Sequence, residues 1–274
     1  MNLYTIFGGK GFIGSEFARK LTNLGHHVYI PERNDSNIYN KDLGIVIYAA
    51  GHGDCINNSE NVLDANTTLL NNILQHSNFT KIIYISSTRI YMNSQVSSEN
   101  ANILISFNDN RKLFNLTKMT SEEMCIRSGK EYLIIRPSNV YGIALDSPLF
   151  LPSIIRDAIN KKTINMYITP AYSKDYVYLG DLVSSTLALI DLKKTGIFNV
   201  ASGMNVDAKS ISDLLIKKTG CQVNWLADFD SEKFPVIDIS KLSSTISYTP
   251  ASVLHDLSDM VDNYKLKMVK KSDS

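Results

Sequence analysis

The run Gly8-Gly9-Lys10-Gly11-Phe12-Ile13-Gly14 constrains this chain more than any other stretch. It follows the apolar segment Leu3-Tyr4-Thr5-Ile6-Phe7 and precedes a helical pattern, with Ile13, Phe17, Leu21 and Leu24 three or four residues apart. Gly25 stands where a helix C-cap glycine belongs. Strand, glycine turn and helix start in that order make a dinucleotide-binding element. Gly8 permits the turn, Gly11 lets the backbone approach a pyrophosphate, and Gly14 lets the helix pack on the sheet. The unpaired N–H groups at the start of the helix, with its positive dipole end, then face the phosphates. Gly8, Lys10, Gly11, Phe12, Ile13 and Gly14 are the first candidate cofactor-binding residues.

The remaining composition narrows the partners. At 274 residues the chain can bury one large core and a smaller one. A net charge of +1 gives no broad attraction to nucleic acid or to a membrane surface. The three cysteines, Cys55, Cys125 and Cys221, lie far apart without a C-x-x-C pair, so reduced thiols and a cytoplasmic protein are expected. No apolar run approaches the ~18 residues of a membrane span, and no spacing nominates a metal ligand set.

His27-Val28-Tyr29-Ile30 reads as a second strand ending at Pro31-Glu32-Arg33. At that position an acid bonds the ribose 2′-hydroxyl of NAD, and an arginine accommodates the 2′-phosphate of NADP. Glu32 and Arg33 offer both, with Lys10 as a further phosphate partner. NADP(H) is favoured, and NAD(H) stays open. Only residues 34–44 separate this strand from the next, Ile45-Val46-Ile47-Tyr48-Ala49-Ala50-Gly51. A full crossover needs about a dozen residues or more, so the usual third strand must be shortened or missing.

Further stretches follow in order. Asp64-Ala65-Asn66-Thr67-Thr68 precedes Lys81-Ile82-Ile83-Tyr84-Ile85, which runs into Ser86-Ser87-Thr88-Arg89-Ile90-Tyr91. Then come Arg111-Lys112-Leu113-Phe114-Asn115-Leu116-Thr117-Lys118 and Arg136-Pro137-Ser138-Asn139-Val140-Tyr141-Gly142. Lys174-Asp175-Tyr176-Val177 lies further on, followed by residues 196–203 and 238–242. Thr249-Pro250 reads as N-cap and first residue of a last helix, with Val253, Leu254, Leu257, Val261 and Tyr264 on its apolar face. Together with the G-x-x-G-x-x-G spacing, these motifs resemble the extended short-chain dehydrogenase/reductase family of nucleotide-sugar epimerases, dehydratases and reductases.

The resemblance implies an α/β fold: a Rossmann-type, doubly wound parallel sheet with a small C-terminal substrate-binding α/β part. The dinucleotide domain would take 1–148 with parts of 175–205 and 236–242. The substrate part would take 149–174, 206–235 and 243–267, leaving 268–274 as tail, with fraying from Lys265 on. Ala49, Ala50 and Gly51 would let the cofactor pass, with Asn66 at the family's asparagine and Pro137 beside the nicotinamide. Ser87 would be the active-site hydroxyl, and Lys118 the lysine that holds the nicotinamide ribose and lowers the pKa of the family's tyrosine. That tyrosine is replaced by Phe114, which has no proton to give. Three readings stand open: a Tyr→Phe change made to trap a complex; a natural residue, with Tyr91, Thr88 or water as proton source; or a non-catalytic binder.

Thr88, Arg89, Asn139, Leu151 and Lys174 would face substrate. Thr88 and Arg89 occupy the places of the dehydratases' Asp-Glu pair, so elimination lacks its acid and base. The resemblance therefore implies NAD(P)H-dependent reduction of a nucleotide-linked keto sugar, at C4 by preference, with 4-epimerisation as alternative. It also implies a homodimer pairing the helix near Asn66 with that of Phe114, covering Leu69, Ile73, Leu116 and Met124.

Overall fold

The computed structural model describes residues 1–144, 147–230 and 232–272. Its first half comprises β1 (Leu3–Phe7), α1 (Phe12–Asn23), β2 (His27–Tyr29), β3 (Ile45–Tyr48), α2 (Ser59–Leu63), α3 (Leu69–His76), β4 (Lys81–Ile85), α4 (Lys112–Arg127) and β5 (Glu131–Pro137). There follow β6 (Asn139–Tyr141), α5 (Phe150–Asn160), β7 (Thr163–Met166), β8 (Ser173–Tyr178), α6 (Leu179–Asp191), β9 (Gly196–Val200), β10 (Asn205–Asp207), α7 (Ala208–Thr219), β11 (Gln222–Trp225), α8 (Ser240–Thr245) and α9 (Val253–Ser272).

Six parallel strands form the main sheet in the order β2-β1-β3-β4-β5-β9. The near-continuous apolar strands are buried on both faces, as a parallel sheet between helices requires. Alternation sends Ile6, Ile47, Ile83 and Ile135 to one face, under Phe17 and Leu21 of α1 and Leu182 and Leu189 of α6. Their neighbours Phe7, Val46, Tyr48, Ile82 and Tyr84 go to the other, under Leu70 and Ile73 of α3 and Cys125 of α4. The sheet ends at β2 because the β2–β3 connection holds only a single 3₁₀ turn, Ser36–Tyr39, capped by the Asp35 carboxylate. The strand order turns back between β1 and β3, and a ligand crevice opens at such a point, outside the carboxyl ends of the strands.

A second core gathers α5, α7 and α9 around β7 and β11, with Ile155, Ile164, Leu215, Leu257 and Tyr264 buried. Two features tie it to the main sheet. The Asp175 carboxylate on β8 accepts from Ser138 Oγ (2.5 Å) and from the amides of Ser202, Gly203 and Met204. Asp181, in the first turn of α6, accepts the Ala251 amide at 2.7 Å.

Several expectations are corrected. α9 starts at Val253 and not at Thr249-Pro250, and the Ala251 amide just before it is taken by Asp181. Lys265 does not begin a frayed tail, since α9 continues to Ser272; residues 273–274 lie outside the described residues. Ile73 is fully buried beneath β3 and β4, and Leu69 and Met124 pack on the same cluster. Of the four apolar residues offered for a dimer face, only Leu116 is exposed.

The glycine run is built for contact. Gly8 has φ +78°, and its carbonyl accepts the Gly11 amide at 2.9 Å. A Cβ on Gly14 would stand 2.2 Å from that same carbonyl oxygen, where no atom fits. At the far end α1 closes in a Schellman turn, His26 N to Leu21 O and Gly25 N to Thr22 O, with Gly25 at φ +78°. Gly14→Ala must therefore push α1 off β1. It is expected to destabilise the fold by about 1–3 kcal/mol, read as a lowered thermal midpoint. An unchanged midpoint would contradict this packing.

Candidate active site

At the switch point the ends of β1 and β3 frame a cavity of about 640 Å³, lined by Gly8, Lys10, Glu32, Arg33, Ala50, Gly51 and His52 among others. Gly9 keeps its wall open, since a Cβ there would stand 2.8 Å from the Ile30 side chain. The His52 Nε2 is buried without a partner in this wall, a polar atom free to meet a ligand oxygen. Open helix N-terminus, glycine wall and orphan nitrogen fit a dinucleotide. Ile13 packs against the core, and Phe12 packs beside Gly142, where a Cβ would stand 3.2 Å from its Cζ, so these two can offer backbone more than side chain.

Lys10 and Glu32 both line the cavity and pair with each other at 2.6 Å, while Arg33 Nη2 donates to Asn61 Oδ1 at 3.1 Å. The Lys10–Glu32 pair is open to water and worth little to stability. Its effect is local: the two charges cancel, which leaves Arg33 as the net cation of the trio.

Ala50 and Gly51 lead from the cavity towards Lys118 and Asn66. A Cβ on Gly51 would meet Lys118 Nζ at 3.1 Å and Asn66 Oδ1 at 3.4 Å, so a side chain there would block both. Asn66 sits fully buried in a π turn, Asp64–Thr68, between α2 and α3. It accepts the His52 amide (3.1 Å) and donates to His52 O (3.2 Å) and Thr117 Oγ1 (2.9 Å). π turns of this kind recur at functional sites.

Lys118 is 5% exposed on the sheet-facing side of α4. Its Nζ donates to the Ile85 carbonyl at the end of β4 (2.9 Å) and lies 5.7 Å from the Phe114 ring centroid. Burial brings its pKa down to about 8, against a pull upward from Glu122. Phe114 is one turn earlier on the same face, half-buried, with Gly53 against its ring edge. Ser87 lies two residues past the end of β4; its Oγ accepts the Arg89 amide at 3.1 Å and keeps its own proton to donate. Pro137 ends β5 and is buried. Asn139 opens β6, exposed, and donates to Asp175 O at 2.8 Å.

Three expected roles are corrected. Leu151 is 3% exposed on the inner face of α5 and belongs to the second core, not to a substrate surface. Arg89 is turned inward: it grips Asp109 with both terminal nitrogens (2.8 and 2.9 Å) and also meets Asn115 and Glu232. Burial opposes its charge, and the two carboxylates outweigh that and hold it protonated. Tyr91 is fully buried, donating to Asn199 Oδ1 (3.0 Å) and accepting from Arg136 Nη1 (2.5 Å), so it has no proton for a substrate. Thr88 is also buried. Lys174 stays beside Glu232 (3.9 Å), over the rings of Tyr172 and Phe234.

Sequence reasoning missed His52 and Arg111. His52 directly follows the small-residue run Ala49-Ala50-Gly51, which could have flagged it. Arg111 sits one turn before Phe114 with its Cζ 5.2 Å from that ring centroid.

Comparison with known proteins places this geometry. The family model described as NAD dependent epimerase/dehydratase family matches residues 4–201. A UDP-N-acetyl-alpha-D-glucosaminuronate decarboxylase of Bacillus cytotoxicus is 25% identical over 76% of this chain and 77% of its own. A dTDP-4-dehydro-6-deoxy-D-allose reductase of Streptomyces sp is 20% identical over 95% of each chain. Among solved structures, a Tyr→Phe mutant of UDP-glucuronic acid 4-epimerase from Bacillus cereus, in complex with UDP-4-deoxy-4-fluoro-glucuronic acid and NAD, has a similar fold. Its TM-score is 0.84 over 96% of this chain and 99% of its own, at 20% identity. With the family pattern running from the first strand through the last strand of the main sheet, this chain belongs to the NAD dependent epimerase/dehydratase family.

Proposed function

We propose that this chain is an NAD(P)H-dependent reductase of a nucleotide-linked keto sugar, acting at C4, with Phe114 in the position of the family's acid–base tyrosine. The observation that carries the reading is the Lys118 site. A buried ammonium, the Ser87 hydroxyl and the passage at Gly51 converge at the ends of β3 and β4. The dTDP-4-dehydro-6-deoxy-D-allose reductase among its relatives supports a keto-sugar substrate. A 4-epimerase needs the same groups and is the alternative within the class.

The residues divide the work. Gly8, Gly11 and Gly14 would hold the pyrophosphate at the start of α1, and Asn66 would keep the 52–53 segment in place beside it. At the adenosine end Lys10 and Glu32 would cancel each other and Arg33, bonded only to the neutral Asn61 amide among the described residues, would be the cation left for a 2′-phosphate, so NADP(H) is the favoured cofactor. A bound nicotinamide would supply or accept hydride. Ser87 Oγ–H would donate to the substrate oxygen, and Lys118 would stabilise the negative charge growing there and hold the ribose. Asn139 and Lys174 would receive the nucleotide diphosphate. What Phe114 leaves out is a direct proton for the alkoxide, and Tyr91 does not replace it. That last observation also favours a second reading, a dinucleotide or nucleotide-sugar binder without turnover. A homodimer through the face that exposes Leu63 and Leu116 belongs to the same proposal.

Two outcomes follow. General acid catalysis contributes ~10²–10⁴-fold, so Phe114→Tyr is expected to raise turnover of nucleotide 4-keto sugars by about that factor. Cofactor affinity should barely move, since one oxygen is added to the same volume. Nicotinamide absorbance and dinucleotide titration read the two. No gain in turnover on any such sugar favours the binder.

The second outcome concerns pH. Folding lowers the pKa of Lys118 from 10.5 to about 8, so the fold favours the neutral amine. Stability from this group therefore rises as pH climbs from about 8 towards 10.5. Binding through the ammonium runs the other way: dinucleotide affinity is expected to fall as pH rises through about 8. Lys118→Met should bind weakly at every pH, with no step. A wild-type profile flat through that range would remove Lys118 from the cofactor site.

A further inference from the structure

The active-site cluster holds more positive charge than its own carboxylates answer. Arg89, Arg111 and Lys174 face Asp109 and Glu232, three cations against two anions. Both Asp109 oxygens are taken by the Arg89 fork, and Asn115 adds a third bond. Glu232 gives one oxygen to Arg89 and the other to the Tyr172 hydroxyl (2.8 Å), with Lys174 at 3.9 Å. Arg111 is left over. Its backbone amide caps Asp109, but its guanidinium has no hydrogen-bonded or ion-paired carboxylate among the described residues. Burial, and then the neighbouring Arg89 charge, make that cation costly.

The position of Arg111 says what would relieve it. The guanidinium lies over the Phe114 ring, 5.2 Å from its centroid, and a Cβ on Gly53 would stand 3.4 Å from Nη2. It therefore borders the same space as the position that addresses the reacting carbon. A planar guanidinium offers paired N–H donors matched to a carboxylate, and such charge-assisted bonds are the strong ones.

We propose that Arg111 receives a carboxylate on the sugar ring, so that the substrate is a nucleotide-linked uronic acid or its keto form rather than a neutral hexose. This rests on the nucleotide-sugar reading given above. The nucleotide diphosphate presents the same oxyanion chemistry, but it hangs on the anomeric carbon, across the ring from C4. A carboxylate at C5 adjoins the reacting carbon, which the Phe114 position beside Arg111 would address.

The test is calorimetric binding to the intact chain with dinucleotide present, using two matched pairs as probes: UDP-glucuronic acid with UDP-glucose, and GDP-mannuronic acid with GDP-mannose. The acid of at least one pair is expected to bind about 10- to 100-fold tighter than its neutral partner. Arg111→Gln should bring that ratio towards one, and Arg111→Lys, which keeps the charge but not the fork, should retain part of it. Dinucleotide affinity and thermal midpoint report whether each variant folds. A wild-type ratio near one overturns the proposal. So does a ratio that survives in Arg111→Gln, or an equal loss for both members, which would put Arg111 on the diphosphate. Failure of all four sugars to bind while dinucleotide still binds overturns the nucleotide-sugar reading as well, and is told apart by that pattern.

Discussion

Everything at this site depends on a contact that only glycine allows. The Gly8 carbonyl lies where a Gly14 side chain would be, and the same carbonyl accepts the Gly11 amide. That approach seats α1 against β1 and directs its unpaired amides into the crevice where the strand order turns back. Gly9 and Gly51 extend the rule along the crevice, the first against Ile30 and the second against Lys118 and Asn66. These glycines and Ala50 thus clear one passage, from the cavity at the ends of β1 and β3 to the buried lysine.

At its inner end the passage meets a concentrated set of charges. Lys118 is held by a backbone carbonyl and is brought down to about 8 by burial, a value suited to proton chemistry near neutrality. Arg136 and Glu122 form a buried pair behind it, with Ser86 bonded to the same carboxylate, and they tie β5 to α4. Arg89, Asp109 and Glu232 form a second knot in front, joining the strand-end turn to the 226–236 segment. Phe114 stands beside Lys118, its ring centroid 5.7 Å from Nζ, and in the proposed reaction it is the one member of the site without a hydroxyl.

The main sheet was legible because its signals are local. Apolar runs gave β1 and β4 to the residue, and the short 34–44 link foretold that the sheet would stop at β2. Long-range pairings were not legible. Nothing near Arg89 announces that its partners are Asp109 and Glu232, 20 and 143 residues away, so an inward structural arginine read as a substrate contact. Leu151 failed for a related reason: helix phase alone does not tell which face meets α9 and which meets solvent. Thr249-Pro250 has sound capping chemistry, yet the helix starts three residues later, after an Ala251 amide that bonds to Asp181, 70 residues away in sequence. Asn66, Ser87 and Lys118 were singled out because they stand in ordered motifs, and their positions around the ends of β3 and β4 agree with that order.

The central claim is that this chain moves hydride between a nicotinamide and a sugar carbon despite Phe114. The direct measurement is isotope transfer, with reduced nicotinamide dinucleotide deuterated at C4 incubated with the unaltered chain and nucleotide 4-keto sugars. The product is then analysed by mass spectrometry and NMR. The account predicts slow appearance of one deuterium on the sugar carbon that bore the carbonyl. Tight dinucleotide binding with no deuterium on any sugar after prolonged incubation would contradict it.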